Sequence, residues 1–173
     1  LVILLLQQNF SMETIIRKAE RKDSKAIFNL IKELAIFEKE PNSVKISVSD
    51  IENHGFGSKP LFECIVAEIS DKVVGIALYY PRYSTWRGPT FHLEDLIVSE
   101  KYKGKGIGTK LYSAFIRQSY DAGVQRIEWN VLNWNTPAVN FYKNSGATVL
   151  NEWDTVQMHR LEMGKYLDSL IDS

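Results

Sequence analysis

The sequence predicts an α/β fold in which helices flank a mixed, mostly antiparallel sheet, and three observations lead there. Runs rich in β-branched and aromatic residues recur in FECIVAEIS (62–70), VVGIALYYPRY and TFHLEDLIVS. A strand, a glycine-rich loop and a helix start follow one another in EDLIVSEKYKGKGIGT (94–109). A second strand and helix then succeed the first, so the order is strands, strand–helix–strand–helix, then more strands, an α/β sandwich around one sheet.

Taken in order, TIIRKA (14–19) reads as a first strand. Asp23 or Ser24 caps a helix whose apolar positions Ile27, Leu30, Ile31, Leu34 and Phe37 fall on one face. That helix stops near Glu40–Pro41, because the residue before proline is pushed out of the helical region. Ser49-x-x-Glu52 reads as a capping box opening a short second helix that Gly55 closes. The runs at 62–70 and from Val73 form a hairpin turning at Asp71–Lys72, and STWRGP leads into the third long strand. Beyond the glycine loop a helix is expected over 107–122, with Ile107, Leu111, Phe115 and Ile116 inward and Gly123 as its stop. VQRIEWNVL (124–132) is the next strand. Asn135–Thr136–Pro137 starts another helix, ended by Gly146. The tail is expected to add one or two strands and a terminal helix.

The totals bound the function. A chain of 173 residues, 45% hydrophobic and 12% aromatic, suits one compact domain with a real core. Twenty-one basic residues balance 21 acidic ones, so a nucleic-acid partner has no overall charge to draw it. The local cluster Lys101, Lys103, Lys105 and Lys110 suits a small polyanion instead. One cysteine, Cys64, excludes an intrachain disulfide and points to a reducing, cytoplasmic setting. His54, His92 and His159 have no metal-ligand spacing, so no metal is expected. The apolar run in LVILLLQQNFS is too short for a membrane span and lacks a basic n-region, so no membrane partner is expected. Met12 begins a more ordinary start; residues 1–11 read as an upstream extension and 12–173 as the single domain.

The glycine loop carries the chemistry. Glycines let backbone N–H groups converge on an anion, and the adjoining helix start adds its orphan N–H groups and positive dipole end. A phosphate or pyrophosphate seat follows. Five residues after Gly104 stands Thr109, not glycine, so both the mononucleotide loop G-x-x-x-x-G-K-[ST] and the dinucleotide fingerprint G-x-G-x-x-G fail.

What remains, Lys103-x-x-Gly106-x-Gly108, resembles the Q/R-x-x-G-x-G/A acetyl-CoA motif of the GNAT N-acetyltransferases, with Lys103 in place of Arg or Gln. The resemblance extends over nearly all of residues 13–162. IKELAIFE, HGFG, YYPRYSTWRGPTFHLEDLIV and WNTPAVNFYKNSGA are similar to the spermidine/spermine acetyltransferase branch, including its thialysine N-epsilon-acetyltransferase relatives. It implies a GNAT fold, splayed between the strand before the glycine loop and the strand before the NFYK helix. It also implies an enzyme that transfers acetyl from acetyl-CoA directly to a primary amine of a small polyamine, diamine or lysine-like substrate. A peptide or protein N-terminal acetyltransferase and an inactive acyl-CoA-binding module are the alternatives. Related enzymes imply a homodimer, which the apolar tail would suit.

Residue by residue, the resemblance places the pantetheine amides against Leu96, Ile97 and Val98, and the pyrophosphate on Gly104, Lys105, Gly106, Ile107, Gly108 and Thr109 beside Lys103. Asn135, Tyr142 and Lys143 are further cofactor contacts. An acceptor amine with a pKa of about 10.4 is almost wholly protonated at neutral pH, and deprotonating it costs roughly 4–5 kcal/mol. Glu94 matches the family's base, accepting that proton through water; a cation anchor or ion-pair partner is the other reading of that position. Tyr142 matches the tyrosine near the CoA sulfur, where it protonates the leaving thiolate; a core or rim tyrosine is the other reading of that position. Phe37, Glu38, Trp86, Glu128, Asn130 and Leu132 line the amine side with Glu94. Asp95 falls on the opposite face if the strand is regular. Polyamine enzymes carry an extra acid where this chain has Ser84, which favours the thialysine branch.

Overall fold

The computed structural model describes residues 13–170, so the extension expected over 1–11 lies outside the described residues. The chain divides into two compact units, one ending at Asn130 and the other beginning at Val131.

The first unit is a five-stranded sheet in the order β1-β2-β3-β4-β5 with three helices. Its elements are β1 (Ile15–Lys18), α1 (Ser24–Phe37), α2 (Val48–Phe56), β2 (Glu63–Ile69), β3 (Lys72–Ser84), β4 (Gly88–Val98), α3 (Ile107–Asp121) and β5 (Ile127–Glu128). The first four strands are antiparallel neighbours, and β5 joins β4 in parallel. The β2–β3 hairpin turns on Ser70 and Asp71, one residue earlier than expected. Both have positive φ, 48° and 60°, as a two-residue turn matched to the strand twist requires.

Two hydrophobic layers fix the helices to opposite faces of this sheet. Ile107, Leu111 and Phe115 of α3 pack with Ala67, Ala77, Tyr79, Leu93 and Val98. Ile27 and Leu30 of α1 and Ile51 of α2 pack with Cys64, Val66, Ile76, Leu78 and Ile97. Burying each such side chain contributes about 1.5–3 kcal/mol, so these layers hold the strand carrying the glycine loop rigidly in place. Ile116, expected inward, is 36% exposed; Tyr112 and Ser119 are buried on α3 in its stead.

α2 differs from expectation at both ends. Its capping box is Ser47 with Asp50, since Ser47 has the extended backbone a cap requires and its hydroxyl accepts from the Asp50 N–H. Gly55 lies inside the helix, where a Cβ would stand 2.5 Å from Cζ of Phe62. Glycine serves there for a close approach, and the helix runs on to Phe56.

The second unit holds α4 (Thr136–Asn144) and α5 (Arg160–Ser169). Asn135 caps α4, its side-chain oxygen accepting from the Ala138 N–H, and Gly146 at φ 95° follows the helix end. The expected tail strands are absent among the described residues: 147–159 have no ladder partner, and Leu150, Trp153 and Val156 lie exposed. Apolar content alone makes no strand, because the backbone N–H and C=O groups must find a neighbour.

Candidate active site

The glycine loop leaves β4 through a short 3-10 turn, Glu100–Tyr102, and enters α3. Gly104 and Gly106 have φ of 75° and 74°, and Gly106 is itself the N-cap residue of α3. A glycine cap supplies no side-chain acceptor, so the first N–H groups of α3, at Ile107, Gly108 and Thr109, receive no capping side chain. Left-handed glycines followed by uncapped helix N–H groups form a nest for an anion. Gly108 is different: it lies in the helix, and a Cβ there would meet only Cγ2 of Val98 at 3.8 Å, an ordinary contact. Alanine therefore suits the backbone at 108, whereas the left-handed φ at 106 disfavours it.

Lys103 does not extend freely from this loop. Its Nζ is 2.6 Å from Glu100 Oε2 and 4.9 Å from the centroid of Phe37, at the end of α1. The Glu100 N–H donates to Glu33 Oε1 at 2.7 Å, a second tie between the loop and α1. Lys105 lies over Tyr102, 5.3 Å from its centroid.

The strand that feeds the loop is open along one edge. Leu96, Ile97 and Val98 pair with Ala77, Ile76 and Gly75 of β3 on one side. On the other side β5 matches only Phe91 and His92, opposite Ile127 and Glu128. Beyond that pair the two strands splay, and β5 ends at Glu128 rather than running from 124 to 132 as expected. Among the described residues, main-chain groups of β4 past His92 have no ladder partner on that edge.

At the amine end the strand is irregular. Leu78 pairs with Asp95, but Tyr79 pairs with Leu93, so Glu94 is an extra residue bulged out of β4. The bulge corrects the expectation that Glu94 and Asp95 take opposite faces. Asp95 lies opposite Leu78, on the α1 side of the sheet, and Glu94 reaches Tyr80 and His92 of that same side. Glu94 is half exposed, with Oε2 3.7 Å from His92 Nε2, and its carboxylate hydrogen-bonds the Tyr80 side chain.

Three carboxyl groups meet here. Burial, then Glu94 and Glu38, push the Asp95 carboxyl up to about 7. Burial and Glu94 raise Glu38 above the ordinary carboxylic range. Burial and Glu94 also hold the Tyr80 phenol above its usual value. Glu94 disfavours ionisation of both Asp95 and Glu38, a repulsion that a cationic group would relieve.

The remaining residues expected at the site divide between the two units. Trp86 sits in the β3–β4 turn, 81% exposed. Ser84 closes that turn, its hydroxyl accepting from the N–H groups of Trp86 and Arg87. Glu128 is engaged by Arg82 at 3.0 Å and by Arg126 at 3.0 and 2.8 Å, so its charge is already matched. Asn130 closes the first unit; Leu132, Asn135, Tyr142 and Lys143 belong to the second. Tyr142 is buried within α4, its ring edge-on to Phe141 at 5.4 Å. Sequence reasoning missed Asp95, Tyr80 and His92 as members of the acid cluster. The adjacent pair Glu94–Asp95 was a signal, but the bulge that turns both to one face was not visible. Among the described residues, no group of three or more His, Cys, Asp or Glu side chains could hold a metal ion.

This geometry matches known proteins at three levels. The model of the acetyltransferase (GNAT) family matches residues 24–147. Over 147 residues the chain is 43% identical to the thialysine N-epsilon-acetyltransferase of Mus musculus, covering 80% of this chain and 86% of that protein. It is 32% identical over 160 residues to spermidine/spermine N(1)-acetyltransferase-like protein 1 of Homo sapiens, covering 88% of this chain and 23% of that much longer one. A solved integron cassette protein from the mobile metagenome of V. cholerae shares the fold, with a TM-score of 0.73 at 23% identity, covering 90% of this chain and 98% of that one. With the glycine nest, the splayed strands and the family model all falling on the same stretch, the chain belongs to the GNAT acetyltransferase family.

Proposed function

We propose that this protein transfers the acetyl group of acetyl-CoA to a primary amine of a small lysine-like or polyamine substrate, with a thialysine-type acceptor preferred. The observation that carries this reading is the electrostatic coupling of Glu38, at the end of α1, with Glu94 and Asp95 of a strand whose other end opens into the glycine nest. A cationic amine relieves the mutual repulsion of the three acids and drives Asp95 towards its ionised form. The 43% identity to a thialysine enzyme, and Ser84 closing a turn where polyamine enzymes carry an acid, favour the lysine-like acceptor.

The chain's own groups fit the cosubstrate. Backbone groups of Leu96, Ile97 and Val98 hold the pantetheine amides along the open edge of β4, and the backbone N–H groups from Lys103 to Thr109 hold the pyrophosphate. Asn135, Tyr142 and Lys143 are assigned further cofactor contacts by the family resemblance. Acetyl-CoA supplies a thioester activated towards an amine. Glu94 accepts the proton of the amine through water, offsetting part of the roughly 4–5 kcal/mol needed to neutralise an ammonium group with a pKa of about 10.4. Tyr142 donates a proton to the departing thiolate. Phe37, Trp86, Glu128, Asn130 and Leu132 shape the acceptor side.

In this reading residues 12–173 work as one catalytic domain, in the cytoplasm, as a homodimer. The buried lone cysteine suits a reducing compartment. The exposed apolar residues of the second unit, Trp153, Val156, Met158 and Leu161, suit a second copy as partner. No described helix is long and apolar enough to cross a membrane.

A thiol-release assay over thialysine, lysine, putrescine, spermidine, spermine and short peptides tests the reading. Turnover highest with thialysine or lysine is expected. Turnover with peptides alone makes the protein a peptide acetyltransferase, and acetyl-CoA binding without any turnover makes it a binding module. Tyr142→Phe is expected to lower kcat about 10²-fold with the fold intact, and an unchanged rate removes Tyr142 from the chemistry.

A further inference from the structure

His92, like Tyr80, stands at the acid cluster without a part in the reaction described above. It lies on β4, two residues before Glu94, and its side chain is only 12% exposed. Its ring stacks on Tyr80 with centroids 5.2 Å apart and planes 27° from parallel. Nε2 faces Glu94, 3.7 Å from Oε2. Nδ1 is sealed from solvent and has no hydrogen-bond partner among the described residues.

An N–H on Nδ1 would be a buried donor with nothing to accept it, at a penalty of about 1–3 kcal/mol. An imidazole with a single N–H therefore carries it on Nε2, directed at Glu94.

The geometry points to His92 as a positioning residue for Glu94: with the Tyr80 hydroxyl it brackets the bulged carboxylate and restricts it to the orientation that reaches the amine. The need follows from the bulge. Glu94 is half exposed and displaced from the regular ladder, so neither packing nor strand geometry fixes its rotamer. A ring locked by stacking, with its Nε2 3.7 Å from the carboxylate, supplies that restraint once the pair closes to hydrogen-bond distance. The inference rests on the reading of Glu94 as the group that accepts the amine's proton.

Four single variants and one double variant, assayed by thiol release with the preferred amine, test it. His92→Phe keeps the stack on Tyr80 and removes the donor; it is expected to lower kcat about tenfold with the KM for acetyl-CoA within about twofold. His92→Gln places an amide N–H near the position of Nε2 and is expected to restore kcat to within about threefold. His92→Asn carries the same amide but reaches only the Nδ1 position, so it is expected to behave like the Phe variant. If His92→Phe does not fold, the Gln and Asn pair still decides. In a Glu94→Gln background, His92→Phe is expected to change kcat less than about twofold, because the group it positions is gone. The inference is overturned if Gln and Asn are equally damaging, if His92→Phe leaves kcat unchanged, or if the Phe effect is as large in the Glu94→Gln background as alone. Glu94→Gln by itself separates the two levels: an unchanged kcat there removes the base role and the positioning role together. A fall there with no effect at His92 removes only the positioning role.

Discussion

In the proposed reading, the two ends of the stretch from Glu94 to Thr109 recognise charge by opposite means. At the phosphate end the recognising groups are main-chain N–H groups, aimed by two left-handed glycines and a helix start. At the amine end they are side chains, brought to one face by a bulge and held by neighbours. A backbone site tolerates changes of side chain and fails when φ is disturbed. A side-chain site tolerates small shifts of backbone and fails when one atom type is exchanged.

Glu94→Gln is the most damaging change this contrast predicts. It keeps the shape and removes the acceptor charge, and kcat/KM for the amine is expected to fall about 10²-fold or more while the KM for acetyl-CoA barely moves. Steady-state rates from pH 6 to 10 check it. Retention of the wild-type pH–rate profile in the variant would speak for an anchor and against a base.

Asp95→Asn comes next and separates recognition from stability. The carboxyl is raised to about 7 from an ordinary value of 3.8, so the folded state holds a proton that the unfolded state releases. Folding stability from this group is fully present below pH 3.8, falls as pH rises through the interval to about 7, and stays low above it. Asn cannot ionise, so urea midpoints of the variant should lose that downward slope between pH 4 and 7. A slope identical to wild type would mean that Asp95 is not the titrating group. Asp23 acts in the opposite sense: although its burial opposes ionisation, Arg17 at 2.8 Å and the Glu20 N–H hold it below the usual range, so its contribution is lost at acid pH.

Much of the backbone end was legible in the sequence, because turns and helix starts leave marks one residue at a time. Gly106, Gly123, Asn135 and Gly146 each stand where the chain bends or a helix is capped, and each was placed from local chemistry. The amine end was legible in composition but not in arrangement. Whether Asp95 shares a face with Glu94 depends on a one-residue mismatch between β3 and β4, which no pattern in either strand announces. The tail shows the same limit. Strands were expected there, yet a strand is a property of two segments, and the described tail has no ladder partner.

Smaller effects come from the glycine loop, where Gly106→Ala and Gly108→Ala form a matched pair. Neither Cβ meets a steric obstacle: nothing lies within 4 Å at 106, and at 108 there is only Val98 at 3.8 Å. The difference is φ alone. At 106, with φ 74°, an L-residue costs about 1–2 kcal/mol, so the variant is expected to unfold more readily and to bind acetyl-CoA more weakly. At 108 the backbone is helical, and alanine is expected to raise stability by about 0.5–1 kcal/mol. Thermal melts with and without acetyl-CoA distinguish the two; equal losses at both positions would mean that side-chain room, not backbone conformation, governs this loop.

Lys103→Gln is expected to be the mildest change, although Lys103 is the visible departure from the family's Arg or Gln. Its ammonium is committed to Glu100, in a pair whose side chains are 44% and 76% exposed, and to the face of Phe37. An exposed pair of this kind contributes less than about 1 kcal/mol, and salt screens it. If the N–H groups of the loop carry the pyrophosphate, the KM for acetyl-CoA should rise no more than about threefold in Lys103→Gln, and the rise should shrink in high salt. Loss of the tie to Phe37 should register instead in the KM for the amine, because Phe37 lies at the end of α1 beside Glu38. A large rise in the acetyl-CoA KM with the amine KM unchanged would move Lys103 from the α1 side to the phosphate itself, and the backbone end would then depend on a side chain after all.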